Sequence, residues 1–304
     1  MQFTRAEIDR ARHVLFAVFA RYGDSIIAFK TINEFIAAHP DKTYVLITTP
    51  QALPYARTLV RAPVELYGVN KRRNPLRMAR LVALLKRNPP DIAFNPWSHG
   101  EDSEYFASFA QRFFLYRSFA DFTREVNLYR RVRDYLMLPM PKQRPRRWRL
   151  ERAAHIVIAP FSTDIRKSLN AADMARLLEK VRARYTPQTI TIAAFAEELK
   201  RIDDAEVEHF LFSKSDASSE TFLALLRKAD LFIGVDAGPL HVAAALAIPS
   251  IGLFGPTAPE TILDYDSKVL PLRTATLEGV FCDVLDCPDP VCVHQMSADF
   301  TLDR

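Results

Sequence analysis

Cysteine is scarce in this chain, and long apolar runs are missing. The three cysteines, Cys282, Cys287 and Cys292, give no even disulfide framework, which fits a reducing compartment. No apolar run approaches the roughly 18 residues of a membrane span. The N-terminal MQFTRAEIDRARH is charged, with no signal-type apolar core behind it. A cytoplasmic protein is therefore expected. Internal repeats, low-complexity tracts and nucleic-acid recognition motifs are missing as well, so no nucleic-acid partner is expected. What remains is an ordinary globular composition over 304 residues, enough for two domains that each bury a core.

The net charge of +5 hides a division between the halves. Residues 1–152 carry 27 Lys/Arg against 14 Asp/Glu, whereas residues 153–304 carry 14 against 22. Such asymmetry points to an anionic partner for the first half. Lys71, Arg72 and Arg73 are candidate contacts for it; the alternative is a solvated basic surface.

Apolar periodicity alternates between strand and helix along both halves. In the first half, strands are expected at His13 to Phe19, Tyr44 to Ile47, Val64 to Leu66 and Asp91 to Asn95. Helices are expected at Ser25 to Ala38 and at Pro75 to Lys86, the latter amphipathic and basic. The aromatic stretch from Tyr105 to Leu138 reads as largely helical, its rings belonging to the core. From Pro139 to Arg152 the composition shifts to PMPKQRPRRWRLER, which cannot form a regular buried element and reads as a linker. The expected division is 1–145 and 146–304. Beyond it, strands are expected at Ile156 to Ala159, Thr189 to Ala193 and His209 to Phe212, and helices at Ala171 to Arg184 and Thr221 to Lys228.

The stretch DLFIGVDAGPLHVAAALAIPSIGLFGPTAP, Asp230 to Pro259, is the most specific. An apolar strand (Leu231 to Val235) runs through a Gly-Pro turn into an Ala-rich helix, and a second strand (Ser250 to Phe254) follows. The start of that helix offers backbone N–H groups to a phosphate or another anion. The string Asp-x-Gly-Pro-x-His-x-Ala-Ala-Ala, followed by Leu-Phe-Gly-Pro-Thr, resembles the nucleotide-sugar motif of the family 9 glycosyltransferases, the heptosyltransferases of lipopolysaccharide assembly and their relatives. Two β/α sets joined by a linker imply two doubly wound, Rossmann-like α/β domains, with ligands beyond the carboxyl ends of their strands. The resemblance implies the same answer: the GT-B type, with the two domains facing a central cleft.

Further site residues follow from the resemblance. Gly23-Asp24 stands where the family has its Gly-Asp turn, so Asp24 is implied as the base that deprotonates the acceptor; by spacing alone it is an ordinary helix cap. Ser162, Thr163 and Lys167 match the hydroxyl pair and Lys that meet the donor diphosphate, and Glu198 (with Glu197) falls where relatives place an acid near the ribose. Asp236, Ala237, Gly238, Pro239 and His241 complete the donor side, with Asp236 toward the sugar. Three positions depart from the family: Val18 replaces a basic residue, Ala20 a Gly, and Ala237 a Thr or Ser. The chain also stops at Arg304, where relatives continue into a helix across the first domain.

Two metal-like patterns compete. Asp264-Tyr265-Asp266 has the Asp-x-Asp spacing of another glycosyltransferase fold, and Cys282, Cys287, Cys292 and His294 are spaced more loosely than a zinc knuckle. Neither is expected to hold a metal, and no cofactor is expected. The implied activity is inverting, metal-independent transfer of a sugar, heptose from ADP-heptose, to an anionic lipopolysaccharide-core acceptor, with peripheral contact at the inner membrane. A non-catalytic nucleotide-sugar binder and a GT-B-fold nucleotide-sugar epimerase stay open as alternatives.

Overall fold

The computed structural model describes residues 2–20, 22–70, 74–98, 100–119, 127–142, 148, 150–202, 204–213 and 216–273. The chain divides into two compact units, Met1–Pro141 with Ser215–Glu220, and Lys142–Lys214 with Thr221–Arg304.

The first unit holds β1 (His13–Val18), β2 (Thr43–Thr48), β3 (Glu65–Gly68), β4 (Ile92–Phe94) and β5 (Arg112–Phe114) in one parallel sheet of order β3-β2-β1-β4-β5. Its helices are α1 (Arg5–Arg10), α2 (Tyr22–Ala38), α3 (Leu53–Leu59), α4 (Pro75–Arg87), α5 (Glu101–Ala107), α6 (Tyr116–Phe119) and α7 (Leu128–Tyr135). Runs such as HVLFAV and TYVLIT are apolar at nearly every position because helices cover both faces of a parallel sheet. On one face an aromatic core gathers around Phe16, whose ring lies 5.5 Å from Phe35 and 5.9 Å from Phe94. Arg133 of α7 is fully buried, and its two hydrogen bonds to Glu34 of α2, each 2.8 Å, satisfy a charge that burial would otherwise penalise.

The region 105–138 is not the continuous helical run that its composition suggests. The chain leaves α5 and is captured beside β4 as the edge strand β5, where Gln111 N–H reaches Pro90 O and Arg112 N–H reaches Asp91 O. Phe113 and Phe114 suit a pleated surface better than a helix interior, so pairing overrides helical spacing here. Phe106, Phe114, Tyr116, Tyr129 and Tyr135 are core residues, while Tyr105 and Phe113 are exposed.

The second unit carries β6 (His155–Ala159), β7 (Thr189–Ala194), β8 (Glu208–Leu211), β9 (Leu231–Val235), β10 (Ser250–Leu253) and β11 (Val269–Leu272), all parallel, in the order β11-β10-β9-β6-β7-β8. Helices α8 (Ala171–Tyr185), α9 (Ala196–Leu199), α10 (Asp216–Leu226), α11 (Gly238–Ala245) and α12 (Pro259–Ile262) complete it, the first turns of α10 grouping with the first unit. Read from the other edge, this is the first sheet's order with a sixth strand added, the Rossmann arrangement. The repetition extends to single residues. Asp91, just before β4, accepts the N–H groups of Arg12 and His13 at 2.7 and 2.9 Å; Asp230, just before β9, accepts those of Ala154 and His155 at 2.9 Å each.

Glycine matters to the packing of the second sheet. Ala159, Gly234, Gly252 and Pro271 stand side by side across β6, β9, β10 and β11. A Cβ on Gly252 would lie 2.5 Å from the Phe254 ring, 2.8 Å from Val269 and 3.2 Å from Leu240 of α11. The row thus lets α11 sit close on the sheet. Gly252→Ala is expected to cost about 1–3 kcal/mol through overpacking, read as a lower midpoint in denaturant.

Candidate functional site

The carboxyl ends of β6 and β9, adjacent strands, bring the charged residues of the second unit together. After β6 the chain makes a short 3-10 turn, Ile165–Lys167, capped by Asp164, whose Oδ1 accepts the Arg166 N–H at 3.1 Å. The Arg166 side chain also grips both Asp164 oxygens, at 2.9 and 2.6 Å. Arg166 is thereby occupied, and Lys167 points the other way, donating to Asp236 at the end of β9. Asp236 is 5% exposed. Burial pushes its carboxyl up, but His241 beside it and the Lys167 charge outweigh burial and hold it far below the usual carboxylate range.

Helix α11 starts two residues after Asp236. Its N-cap, Ala237, has no side-chain acceptor, so no side chain caps the helix. His241 lies in the first turn, buried, with Nε2 3.6 Å from Asp236 Oδ1, an ion-pair distance rather than a hydrogen bond. Its Nδ1 is buried with no hydrogen-bond partner among the described residues. A buried polar atom without a partner is costly, and the residue that carries it lies in the first turn of the uncapped helix, beside Asp236. The assembly can receive an anion and hold a hydroxyl near Asp236.

The other expected donor residues follow β6 and β7. Ser162 Oγ accepts the Asp164 N–H at 3.2 Å, and the Ser162 backbone is tied to Ser168 Oγ, so Ser162 shapes the turn that aims Lys167. Thr163 is exposed. Glu198 accepts the Phe195 N–H at 2.9 Å, starting α9, and Glu197 pairs with Lys200 at 2.7 Å. Sequence reasoning passed over Phe195 and Phe212. They follow β7 and β8, lie 5.6 Å apart ring to ring, and Phe195 is 45% exposed. In the sequence nothing sets them apart from core aromatics.

In the first unit, Asp24 lies in the first turn of α2, beyond the end of β1. The helix begins at Tyr22, so Asp24 is inside it rather than its cap. Asp24 is half-buried and close enough to Tyr116 that its charge helps keep the phenol protonated, after burial as the main cause; Arg131, itself buried, acts the opposite way on the same hydroxyl. Behind them lies a polar network that the sequence did not announce. Asn95 at the end of β4 is fully buried; its Oδ1 accepts the Tyr116 N–H at 2.7 Å, and its Nδ2 reaches Ser103 Oγ at 3.1 Å. Ser98 Oγ accepts the Phe19 N–H at 2.9 Å, so the ends of β1 and β4 are cross-tied. Lys71, Arg72 and Arg73 lie outside the described residues.

Of the metal-like patterns, Asp264 is buried and its Oδ1 accepts the Tyr265 N–H at 2.8 Å, whereas Asp266 is exposed. The two carboxylates thus have dissimilar settings. Cys282, Cys287, Cys292 and His294 lie outside the described residues. No helix among the described residues is long and apolar enough to cross a membrane.

Residues 131–278 match the family model for glycosyltransferase family 9 (heptosyltransferase). Lipopolysaccharide heptosyltransferase 3 of Escherichia coli K12 is 29% identical over 107 residues, which cover 34% of this chain and 31% of that protein. The chain thus spans about a third of the length of the curated relatives it matches. Two solved structures share the fold over nearly the whole chain. ADP-heptose lps heptosyltransferase II of E. coli has a TM-score of 0.66 at 15% identity, covering 94% of this chain and 97% of that one. The glycosyl transferase family 9 protein of Veillonella parvula has a TM-score of 0.64 at 15% identity, covering 95% and 98%. The fold is accordingly the two-domain, Rossmann-like GT-B type.

Proposed function

We propose that this chain, a family 9, heptosyltransferase-like protein, transfers a sugar from a nucleotide diphosphate, with inversion at the anomeric carbon and without a metal. ADP-heptose, named for the solved relative, is the donor we favour, and an anionic lipopolysaccharide-core glycan is the acceptor. The observation that carries the reading is the cluster of Lys167, Asp236 and His241 at the uncapped start of α11.

In this reading the donor diphosphate meets Lys167 and the positive, N-terminal end of α11, which stabilise the charge that grows as the anomeric C–O bond breaks. Asp236 fixes Lys167 and takes sugar hydroxyls, and the unpartnered His241 Nδ1 faces a donor oxygen. The acceptor hydroxyl attacks the anomeric carbon, and its proton passes to Asp24. Lys71, Arg72 and Arg73 attract the acceptor's negative charge. The nucleobase stacks on Phe195 and Phe212. From the end of β9 to that of β8 is three strand spacings, about 14 Å, within reach of an extended nucleoside diphosphate.

A thermal-shift panel of ADP- and UDP-linked sugars, followed by a transfer assay, tests the reading. Selective stabilisation by one donor and turnover with it are expected, because a ligand bound only by the folded state raises its stability. Stabilisation without transfer to any acceptor would reduce the protein to a binder, and no shift with any nucleotide sugar would remove both. Phe195→Ala is expected to weaken the best donor about tenfold or more, since base–aromatic stacking has effects of that order. An unchanged affinity would place the base elsewhere.

A further inference from the structure

The loop after β4 sets its sequence against its backbone. Ser98 N–H donates to Asn95 O at 3.1 Å, closing a turn with Pro96 second and Trp97 third. Trp97 has a φ of +53°, in the left-handed region for which turns of this kind select Gly or Asn. Three other non-glycine residues share that region among the described residues: Met137, Thr186 and Ala247. Each lies at or just past the end of a helix, where left-handed backbone is ordinary. Trp97 follows a strand instead, and its conformation is imposed from both sides. Asn95, fully buried, donates its N–H to Tyr135 of α7 at 3.0 Å and its Nδ2 to Ser103 of α5, while its Oδ1 accepts from Tyr116 of α6. Ser98, also fully buried, accepts the Phe19 N–H at 2.9 Å. Strained backbone persists where its surroundings over-determine it, and it gathers at functional sites.

At this position the sequence has the largest of side chains, and the fold leaves it half-buried rather than in the core. Its ring lies tilted against Tyr116, 5.5 Å away, and Tyr116 is near enough to Asp24 to feel its charge. Phe19, to which the loop is tied, stands five residues before Asp24; it too is half-buried, and its ring lies flat on Phe106 at 5.5 Å. We infer that Trp97 is an acceptor-binding residue, whose indole stacks on the apolar C–H face of the acceptor's sugar ring and so presents a hydroxyl of that ring to Asp24. The C–H groups of a sugar carry slight positive charge, which suits the negative face of an aromatic ring, whereas a phosphate or carboxylate is repelled by it. The reacting ring is therefore an uncharged pyranose, and the acceptor's negative charge lies further along it. A rigid aromatic on a clamped turn loses little freedom when it binds, which is what positioning asks of it. The inference rests on the transferase reading for the role of Asp24, but the stacking itself is measurable without a donor.

The probe is the deacylated core oligosaccharide of lipopolysaccharide, with and without its phosphates. Trp97 and Trp148 are the two indoles of the chain. Both forms of the oligosaccharide should change the indole emission saturably, at high salt as at low, because salt does not screen stacking. Trp97→Asn, which keeps Trp148, should abolish the change. In the transfer assay Trp97→Asn and Trp97→Gly should raise the acceptor KM about fivefold or more and leave donor-induced thermal stabilisation as it is. Asn and Gly suit left-handed backbone, so both variants should fold. Trp97→Phe, which keeps a ring, should recover most of the loss, whereas an aromatic that served only to pack would move the thermal midpoint and not the KM. No emission change with the dephosphorylated form, or one that high salt abolishes, would overturn the proposal. So would an emission change produced by ADP and not by the glycan, an acceptor KM that Trp97→Asn leaves as it was, or a Trp97→Phe no better than Trp97→Asn. If the glycan titrates Trp97 but no donor supports transfer, the transferase reading fails and the stacking site stands. If transfer proceeds and Trp97→Asn leaves its KM unchanged, the reverse holds.

Discussion

Replacing Asp24 with Ala or Asn is expected to lower sugar transfer by about a hundredfold to ten-thousandfold, the range for loss of a positioned general base. Donor-induced thermal stabilisation should stay as it is. The separation follows from where the residue sits. Asp24 belongs to the first unit, beyond the end of β1, whereas the Lys167, Asp236 and His241 cluster belongs to the second. A carboxylate in the first turn of α2 also complements the helix dipole, worth about 0.3–1 kcal/mol, so the variants should unfold only slightly earlier. Asp24→Asn is the sharper probe, because it keeps the shape and removes the proton acceptor. Turnover that survives it at the wild-type rate would strip Asp24 of the base role and leave it a helix-start charge beside Tyr116.

Lys167→Ala should hurt twice. Donor affinity falls because the diphosphate loses its cation. Stability also falls, because the buried Asp236 keeps His241 beside it but loses the Lys167 charge, a loss of roughly 3 kcal/mol. In a domain of this size that is a drop of about 6–12 °C in Tm. The double variant Lys167→Ala, Asp236→Ala should recover most of the Tm and none of the affinity, which separates the structural from the binding share. The pH dependence has a definite sign. The folded-state pKa of Asp236 is depressed, so the pair's stabilisation is complete above the unfolded carboxyl value of about 3.9. It fades only as pH falls through the lower folded value. Without Lys167 the carboxyl lies higher than in the wild type, with only His241 to offset burial, so protonation relieves its burial cost at a higher pH. The gap in Tm between wild type and Lys167→Ala should therefore narrow as the pH is taken down toward 4. A gap that is constant or widening on acidification would mean that Asp236 is not the residue that loses its cation.

The strands were legible because parallel strands covered on both faces are written as unbroken apolar runs. Leu231–Val235 has the limits its composition sets, and His13–Val18 and Thr189–Ala194 lie within a residue of theirs. What stayed hidden was set by partners distant in sequence. β5 is three residues long and exists because β4 offers it an edge. β11 contains Pro271, which reads as a breaker but is tolerated on an edge strand. At the site, Lys167 and Asp236 stand out singly in the sequence, yet nothing in it says that they pair. They are 69 residues apart and meet because β6 lies beside β9. Glu198, read as a ribose contact, also accepts the Phe195 N–H that starts α9, a local bond that the sequence does not show. Phe195, Phe212 and the Asn95 network went unnoticed because their partners lie on different elements, Ser103 on α5 and Tyr116 on α6 among them, and periodicity reports on one element at a time.

The matched aspartates before β4 and β9 bear on how the chain folds. Each fastens the start of its sheet's first strand to a segment nearly eighty residues further on, the kind of long closure that makes parallel sheets slow to form. Because loop entropy grows only with the logarithm of length, one well-placed carboxylate can hold such a closure once it is made. Neither fastening reaches into the other half of the chain. Each sheet carries its own register lock, so the N-terminal half can settle its strand order while the C-terminal half is still being synthesised.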